Sequence, residues 1–268
     1  CSHFGKTPPC SDLIIKSGIK KVVIGCLDSN SLVSGKGIDR LQNADCEVIV
    51  GVLENECKEH HKRFFTLHNR KRPFIILKWA ETYDGFIAPK VREKQAPVWI
   101  TNEVSRQIVH KWRSEEHAIL VGTKTVLDDN PALDVRHWKG ESPVRIVIDR
   151  ELKIPKNLKI YDESVKTIFM NERETFVNGN IVFEKIDFSK PIAFQICELL
   201  FTHKIQSVII EGGAATLQTF IDENLWDEAR VFKSEVNFNE GVKAPKLDSI
   251  HNKEENIKGD ILKTYRND

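Results

Sequence analysis

"SVIIEGGAATLQTFIDENLW", residues 207–226, is the stretch on which the reading of the fold turns. Its first part, "SVIIEGG", has the apolar character of a buried strand, and "AATLQTFIDENLW" reads as a helix directly after it. Gly212 and Gly213 stand at the junction. Glycines there allow a close backbone approach, and the free N–H groups at the start of a helix attract an anion. A plain strand-to-helix turn would carry the same letters. No G-x-G-x-x-G is present, so a dinucleotide-binding Rossmann domain is not supported.

Outward from this unit the same alternation continues. Upstream, "FIILKWAET" (74–82) reads as a strand, and "YDGFIA" (83–88) turns into a second short one. "NEVSRQIVHKWRSE" (102–115) is an amphipathic helix with Val104, Ile108 and Trp112 on one face. "AILVG" (118–122) is a buried strand, and "TKTVLDDNPAL" (123–133) starts as a helical turn and ends at a proline. "VRIVID" (144–149) and "KTIFM" (166–170) are strands, and "PIAFQICELLFTHK" (191–204) is a helix. Downstream, "EARVFKS" (228–234) opens a more β-rich tail. Strands alternating with helices imply an α/β fold with a largely parallel sheet covered on both faces.

The chain has 268 residues, 40% hydrophobic and 29% charged, an ordinary globular composition with room for one large or two smaller cores. A net charge of +1 gives no electrostatic case for nucleic acid or a membrane surface. No apolar run is long enough to span a bilayer. Five of the six cysteines lie in the first quarter without a dense disulfide pattern. Cys26 and Cys46, beside apolar runs, read as small core residues, and a reducing, cytoplasmic setting is the simplest expectation.

The first 70 residues form a smaller α/β pattern. "SDLIIKSG" (11–18) is a short helix stopped by Gly18, and "KKVVIGCLD" (20–28) a buried strand. "GIDRLQNADCEVIVGVLENE" (37–56) gives a helix and a second strand. About 60 residues are few for an independent core. "KEHHKRFFTLHNRKRP" (58–73) could be a basic arm for nucleic acid, but it is read as a helix turning Phe64 and Phe65 inward, followed by a linker ending at Pro73. At the start, "CSHFGKTPPC" brackets residues 1–10 with Cys1 and Cys10. Two thiolates could belong to a zinc site, or could simply be buried thiols.

Taken together, "CSHFGKTPPC" and "VVIGCLDSNSLVSGKGIDRL" resemble the deaminase half of the bifunctional riboflavin-biosynthesis deaminase/reductase family. "RPFIILKWAETYDGFIA", "WITNEVSRQIVHKWRSEEHAILVGTKTVLDDNPALDVR", "PVRIVID" and "VIIEGGAATLQTFI" resemble its reductase half, in order. The resemblance implies residues 1–70 as part of a cytidine-deaminase-like zinc domain. It implies 71–268 as an NADPH-dependent reductase with a dihydrofolate-reductase-like mixed sheet flanked by helices. Cys1 and Cys10 match zinc ligands; the family's His-Ala-Glu segment, which carries a third ligand and the acid/base carboxylate, is not among these 268 residues. The chain is therefore read as N-terminally truncated, with an incomplete deaminase. Ser29 stands where the family has proline.

In the reductase half the resemblance implies reduction of the phosphorylated ribosylamino pyrimidine by NADPH. Ala80, Trp99, Thr125, Asp129 and the run Gly212, Gly213, Ala214, Ala215, Thr216 match cofactor positions. Arg113, Leu133 and Arg136 match substrate positions, and Lys78 and Glu211, polar residues at motif strand ends, are read as binding the substrate. A guanidinium suits phosphate because its donors can take two oxygens at once; on residue type alone, either arginine could be a salt-bridge partner. Trp99 could also pack in the core. Pro97 replaces a substrate-contacting serine, and Arg150 stands where some relatives have a cofactor-contacting serine. Arg150 could instead favour the extra phosphate of NADPH. Lys78 and Glu211 are read as catalytic, one of them moving a proton, and Asp84 as shaping a turn. Association through the reductase half is a further family expectation. The rival readings are a related reductase of another pyrimidine or pterin, and a non-catalytic oligomerisation module.

Overall fold

The structure, a computed structural model, describes residues 8–27 and 35–267. The chain divides into two compact units, Cys1–Arg72 and Pro73–Asp268.

The first unit contains α1 (Cys10–Lys16), β1 (Lys21–Ile24), α2 (Lys36–Gln42), β2 (Glu47–Val50), α3 (Glu54–His60) and α4 (Lys62–Arg70). Gly18, at φ +68, turns the chain after α1 as the sequence suggests. β1 and β2 pair in parallel, from Lys21↔Glu47 to Ile24↔Val50. The expectation of a buried strand at 20–28 is corrected: along β1 exposed residues alternate with half-buried ones. A two-stranded ribbon gives each strand a single neighbour and too little cover for two buried faces. Cys46 is buried, but Cys26 is only half-buried. The single helix expected at 58–73 is two helices, broken at His61, whose φ of −98 and ψ of 15 leave the helical region. Phe64 and Phe65 are half-buried. Gly25 leaves room for α3: a Cβ there would lie 2.1 Å from Cys57 Sγ.

The second unit is built on β3 (Phe74–Glu81), β4 (Phe86–Pro89), α5 (Glu103–Glu115), β5 (Ala118–Gly122), α6 (Thr123–Asp129), β6 (Val144–Ile148), β7 (Thr167–Asn171), β8 (Phe176–Asn178), β9 (Ile181–Lys185), α7 (Ile192–Thr202), β10 (Ser207–Ile210), α8 (Ala214–Asp222), β11 (Glu228–Lys233), β12 (Gly241–Lys243), β13 (Lys253–Ile257) and β14 (Asp260–Arg266). Ten of these strands form one sheet in the order β13-β14-β11-β3-β10-β5-β6-β7-β9-β8. From β11 to β9 every neighbour is parallel. Antiparallel strands close both margins: β14 and β13 on one side, β8 on the other. β4 pairs with β12 outside this sheet.

The core follows from the two-residue period of the central strands. On β3, Ile75, Leu77 and Trp79 pack on one face with Ile196 and Leu200 of α7 and Leu217 and Phe220 of α8. Phe74 and Ile76 pack on the other with Val126, Ile154 and Ile160. The face expected on α5 is turned by about one residue. Val104, Ile108 and Trp112 are half-buried, and Ser105, Val109 and His110 are the buried positions. Polar anchors cause the rotation: Ser105 Oγ donates to Asp260 Oδ2 at 2.6 Å, and the Asn102 N–H reaches the same oxygen at 2.9 Å. Asp84 shapes its turn as read, accepting from Thr82 Oγ1 at 2.5 Å and from the Asn239 N–H at 2.7 Å.

Candidate active site

The parallel strands point their carboxyl ends one way, which is where open α/β sheets offer a crevice. A cleft of about 1100 Å³ lies there, reached by Lys78 of β3, Gly122 of β5, Ile148 of β6 and Glu211 just after β10. Lys78 and Ala80 continue the face of Phe74 and Ile76, and Glu211 continues the face of Ile209. The same strand faces thus change from apolar core to polar wall as they leave the sheet.

At the floor, three charged side chains meet. Arg113, in the last turn of α5, donates from Nε to Glu211 Oε1 at 3.0 Å and from Nη2 to Oε2 at 2.6 Å. Lys78 Nζ is 3.9 Å from Glu211 Oε2. The three side chains are 12%, 7% and 15% exposed for Arg113, Glu211 and Lys78, so their charges act in a medium that screens weakly. Burial opposes ionisation of Glu211, but the Arg113 guanidinium and Lys78 ammonium outweigh it and hold the carboxyl at about 2. Burial pulls the Lys78 ammonium below its usual value; Glu211 opposes that pull and Arg113 adds to it. Lys78 is the cation of this cluster moved toward easier proton release.

Beside them, the segment after α6 is tied back to α5. Arg113 Nη1 donates to the Asp134 carbonyl at 3.2 Å, and the Arg136 N–H donates to His110 Nδ1 at 3.4 Å. Arg136 Nη1 holds Asp134 Oδ1 at 2.5 Å, so the salt-bridge alternative describes its present partner. Leu133 is 3% exposed and adopts a φ of +52, a conformation uncommon outside glycine, on the cleft wall. Asn130, also left-handed at φ +41, stops α6 before Pro131.

Thr125 and Asp129, four residues apart on α6, also line the cleft. Asp129 pairs with Arg92, and burial nevertheless raises its carboxyl above the usual range. Gly213, at φ +61, precedes α8, whose first residues Ala214, Ala215 and Thr216 open on the cleft with no side chain capping them. Gly212 does not line the cleft; a Cβ there would lie 2.9 Å from Val121 Cα, so its smallness serves the contact with β5. Trp99 also lines the cleft, 55% exposed with the Arg106 guanidinium 4.8 Å from its ring centroid, which corrects the core-packing alternative. Ala80, Pro97 and Arg150 line the cleft as well. Arg150 holds Glu172 at 2.7 Å. The cleft therefore brings together every expected reductase site residue except Gly212. It adds His110, Arg92 and Arg106, which the sequence reading passed over.

The metal expectation fares differently. Cys1 lies outside the described residues, and Cys10 is an exposed free thiol at the start of α1. Among the described residues no group of three or more potential ligands could hold a metal ion. None of the described helices is long and apolar enough to cross a membrane.

Residues 73–234 match the family model described as the RibD C-terminal domain. The riboflavin biosynthesis protein RibD of Aquifex aeolicus is 40% identical over 263 residues, covering 96% of this chain and 73% of that protein. RibD of Actinobacillus pleuropneumoniae is 36% identical over 230 residues, and the match spans 59% of its length. The crystal structure of a diaminohydroxyphosphoribosylaminopyrimidine deaminase/5-amino-6-(5-phosphoribosylamino)uracil reductase from Thermotoga maritima superposes with a TM-score of 0.88 at 36% identity, over 99% of this chain and 76% of that one. The riboflavin biosynthesis reductase Rib7 of Saccharomyces, 18% identical with a TM-score of 0.61, shares the fold of the mixed, dihydrofolate-reductase-like sheet. On its sequence and its fold, the chain belongs to the RibD family of riboflavin biosynthesis proteins.

Proposed function

We propose that the second unit reduces 5-amino-6-(5-phosphoribosylamino)uracil to the ribitylamino compound with NADPH. The observation that carries this is the buried Lys78–Glu211–Arg113 cluster in a cleft that is also lined by the uncapped start of α8. The donor set fits the cofactor. The free N–H groups at the start of α8 suit its phosphates, Thr125 and Asp129 offer hydrogen-bonding groups, and Trp99 offers an exposed ring face. When bound, NADPH supplies the hydride that reduces the imine carbon of the opened sugar. Arg113 and Arg136 bind the anionic end of the substrate, and Glu211 fixes Arg113. Lys78, made a readier proton donor by burial, gives a proton from Nζ to the substrate nitrogen. Leu133 and Val109 keep that wall of the cleft apolar.

The first unit is read as part of a zinc-dependent pyrimidine deaminase, on its resemblance alone. Its described residues do not compose a zinc donor set. The same reading makes the protein cytoplasmic and self-associating through its second unit.

The test is loss of reduced-nicotinamide absorbance with the deaminated substrate and detection of the ribitylamino product by mass. Turnover of a pterin or a different pyrimidine in its place would favour the related-reductase reading. Binding of NADPH without turnover of any of them would favour the non-catalytic module.

A further inference from the structure

His110 lies on the buried side of α5, 3% exposed, and lines the cleft. It is one helical turn before Arg113, so the two side chains share a face of the helix. Its Nδ1 accepts the Arg136 N–H at 3.4 Å. A backbone N–H can only donate, so Nδ1 is the bare nitrogen of the neutral ring and Nε2 carries the proton. His137 meets the ring edge-on, with centroids 4.8 Å apart, and limits its rotation. The charged and titratable groups around it are Arg113, Arg136, His137 and Glu211. Burial, then the two guanidinium groups and His137, push the imidazole down to about 4, so it stays neutral at physiological pH. A neutral ring between two guanidinium-bearing residues adds a directed donor without a third repelling charge. With Lys78, Arg113 and Arg136 facing Glu211 and Asp134, the cluster keeps one excess positive charge.

We propose that His110 binds the sugar phosphate of the substrate, donating from Nε2 to a phosphate oxygen while Arg113 and Arg136 supply the charge. This rests on the phosphorylated-sugar substrate of the reading above, and adds a ligand-contacting residue to it. Holding the Arg136 backbone through Nδ1 gives His110 a second task, fixing the segment that carries Arg136.

The experiment uses the full chain and ribose 5-phosphate, with ribose as the uncharged control. In the wild type, ribose 5-phosphate is expected to bind and to shift the His110 imidazole nitrogen resonances, while ribose does neither. His110→Phe keeps a ring and removes both nitrogens; it should weaken ribose 5-phosphate about ten- to a hundredfold, the usual effect of losing a hydrogen bond to a charged group. His110→Gln, which can both accept and donate, should stay within about threefold of wild type. NADPH affinity should be unchanged in both variants. Equal ribose 5-phosphate affinity in wild type and His110→Phe would overturn the proposal, as would absence of wild-type binding. Loss of NADPH binding together with the sugar phosphate would assign His110 a structural role and overturn it too. If the wild type reduced no ribosylamino pyrimidine yet His110→Phe still lost ribose 5-phosphate, the reaction would be rejected and the His110 assignment supported.

Discussion

Glu211 is the residue on which the site's electrostatics depend. A carboxyl held at about 2 against an ordinary 4.5 contributes stability that is fully present above 4.5 and disappears as the pH falls through about 2. The contribution is on the order of 3 kcal/mol. Glu211→Gln should flatten that part of the acid limb. It should also lower stability at neutral pH by about 3–5 kcal/mol, because Arg113 and Lys78 stay buried without their counter-charge. Urea unfolding at pH 6 and at stepped lower pH, for both proteins, measures the two effects. Asp129 makes a different case. Asp129→Ala should weaken NADPH about ten- to a hundredfold and leave ribose 5-phosphate binding unchanged, while Arg113→Ala should do the reverse. Separate titrations of the two ligands decide it, and equal losses of both ligands in both variants would show a shared structural role. Lys78, Arg113 and Glu211 are legible as a site only through the motifs around them. Arg113 and Glu211 are 98 positions apart, and no periodicity in the sequence joins them. His110 escaped because the apolar stripe read on α5 was Val104, Ile108 and Trp112, and Asp260, 155 positions from Ser105, is what turns the helix.

At the scale of the element, the strand–turn–helix of 207–226 folds as its letters suggest, yet its glycines divide the work between them. Gly212 allows β10 to lie against β5, and Gly213 takes the left-handed turn into α8. Gly212→Ala would set a Cβ 2.8 Å from Val121 Cβ and 2.9 Å from its Cα, and backbone gives way poorly. It should cost about 1–3 kcal/mol. The unfolding midpoint in urea should fall with an unchanged slope; an unchanged midpoint would mean the strands can spread. Central strands were legible because burial on both faces demands unbroken apolar runs, as in Phe74–Leu77 and Val208–Ile210. The hairpin of β8 and β9 was not read, although Gly179 and Asn180 form its two-residue loop, a strong hairpin signal. β8 is short and exposed throughout, so no hydrophobic pattern marks it. β1 failed in the opposite sense: "KVVI" has the letters of a buried strand, but burial depends on how many strands and helices surround it, which four residues cannot encode.

Across the whole molecule, hydrophobic burial is very unequally shared. In the first unit, Pro9, Leu41 and Cys46 are the buried apolar side chains among the described residues, while Leu13, Val23 and Leu53 are 67%, 55% and 65% exposed. The second unit fills both faces of its sheet, and all three hydrophobic clusters draw their residues from 74 onward. Its length of about 200 residues is within the range of independently folding domains, whereas about 70 residues with so little buried apolar surface are marginal. Every residue lining the cleft also falls in the second unit, from Lys78 to Val242. Residues 73–268 expressed alone should therefore fold, unfold in one cooperative transition, and keep the NADPH affinity of the full chain within about threefold, which is less than 1 kcal/mol. Residues 1–72 alone should give no cooperative transition. Calorimetry of both pieces and of the full chain, with NADPH titration of the second, provides the measurement. A second unit that needed the first to unfold cooperatively or to bind NADPH would show that the two form one energetic unit despite their uneven burial.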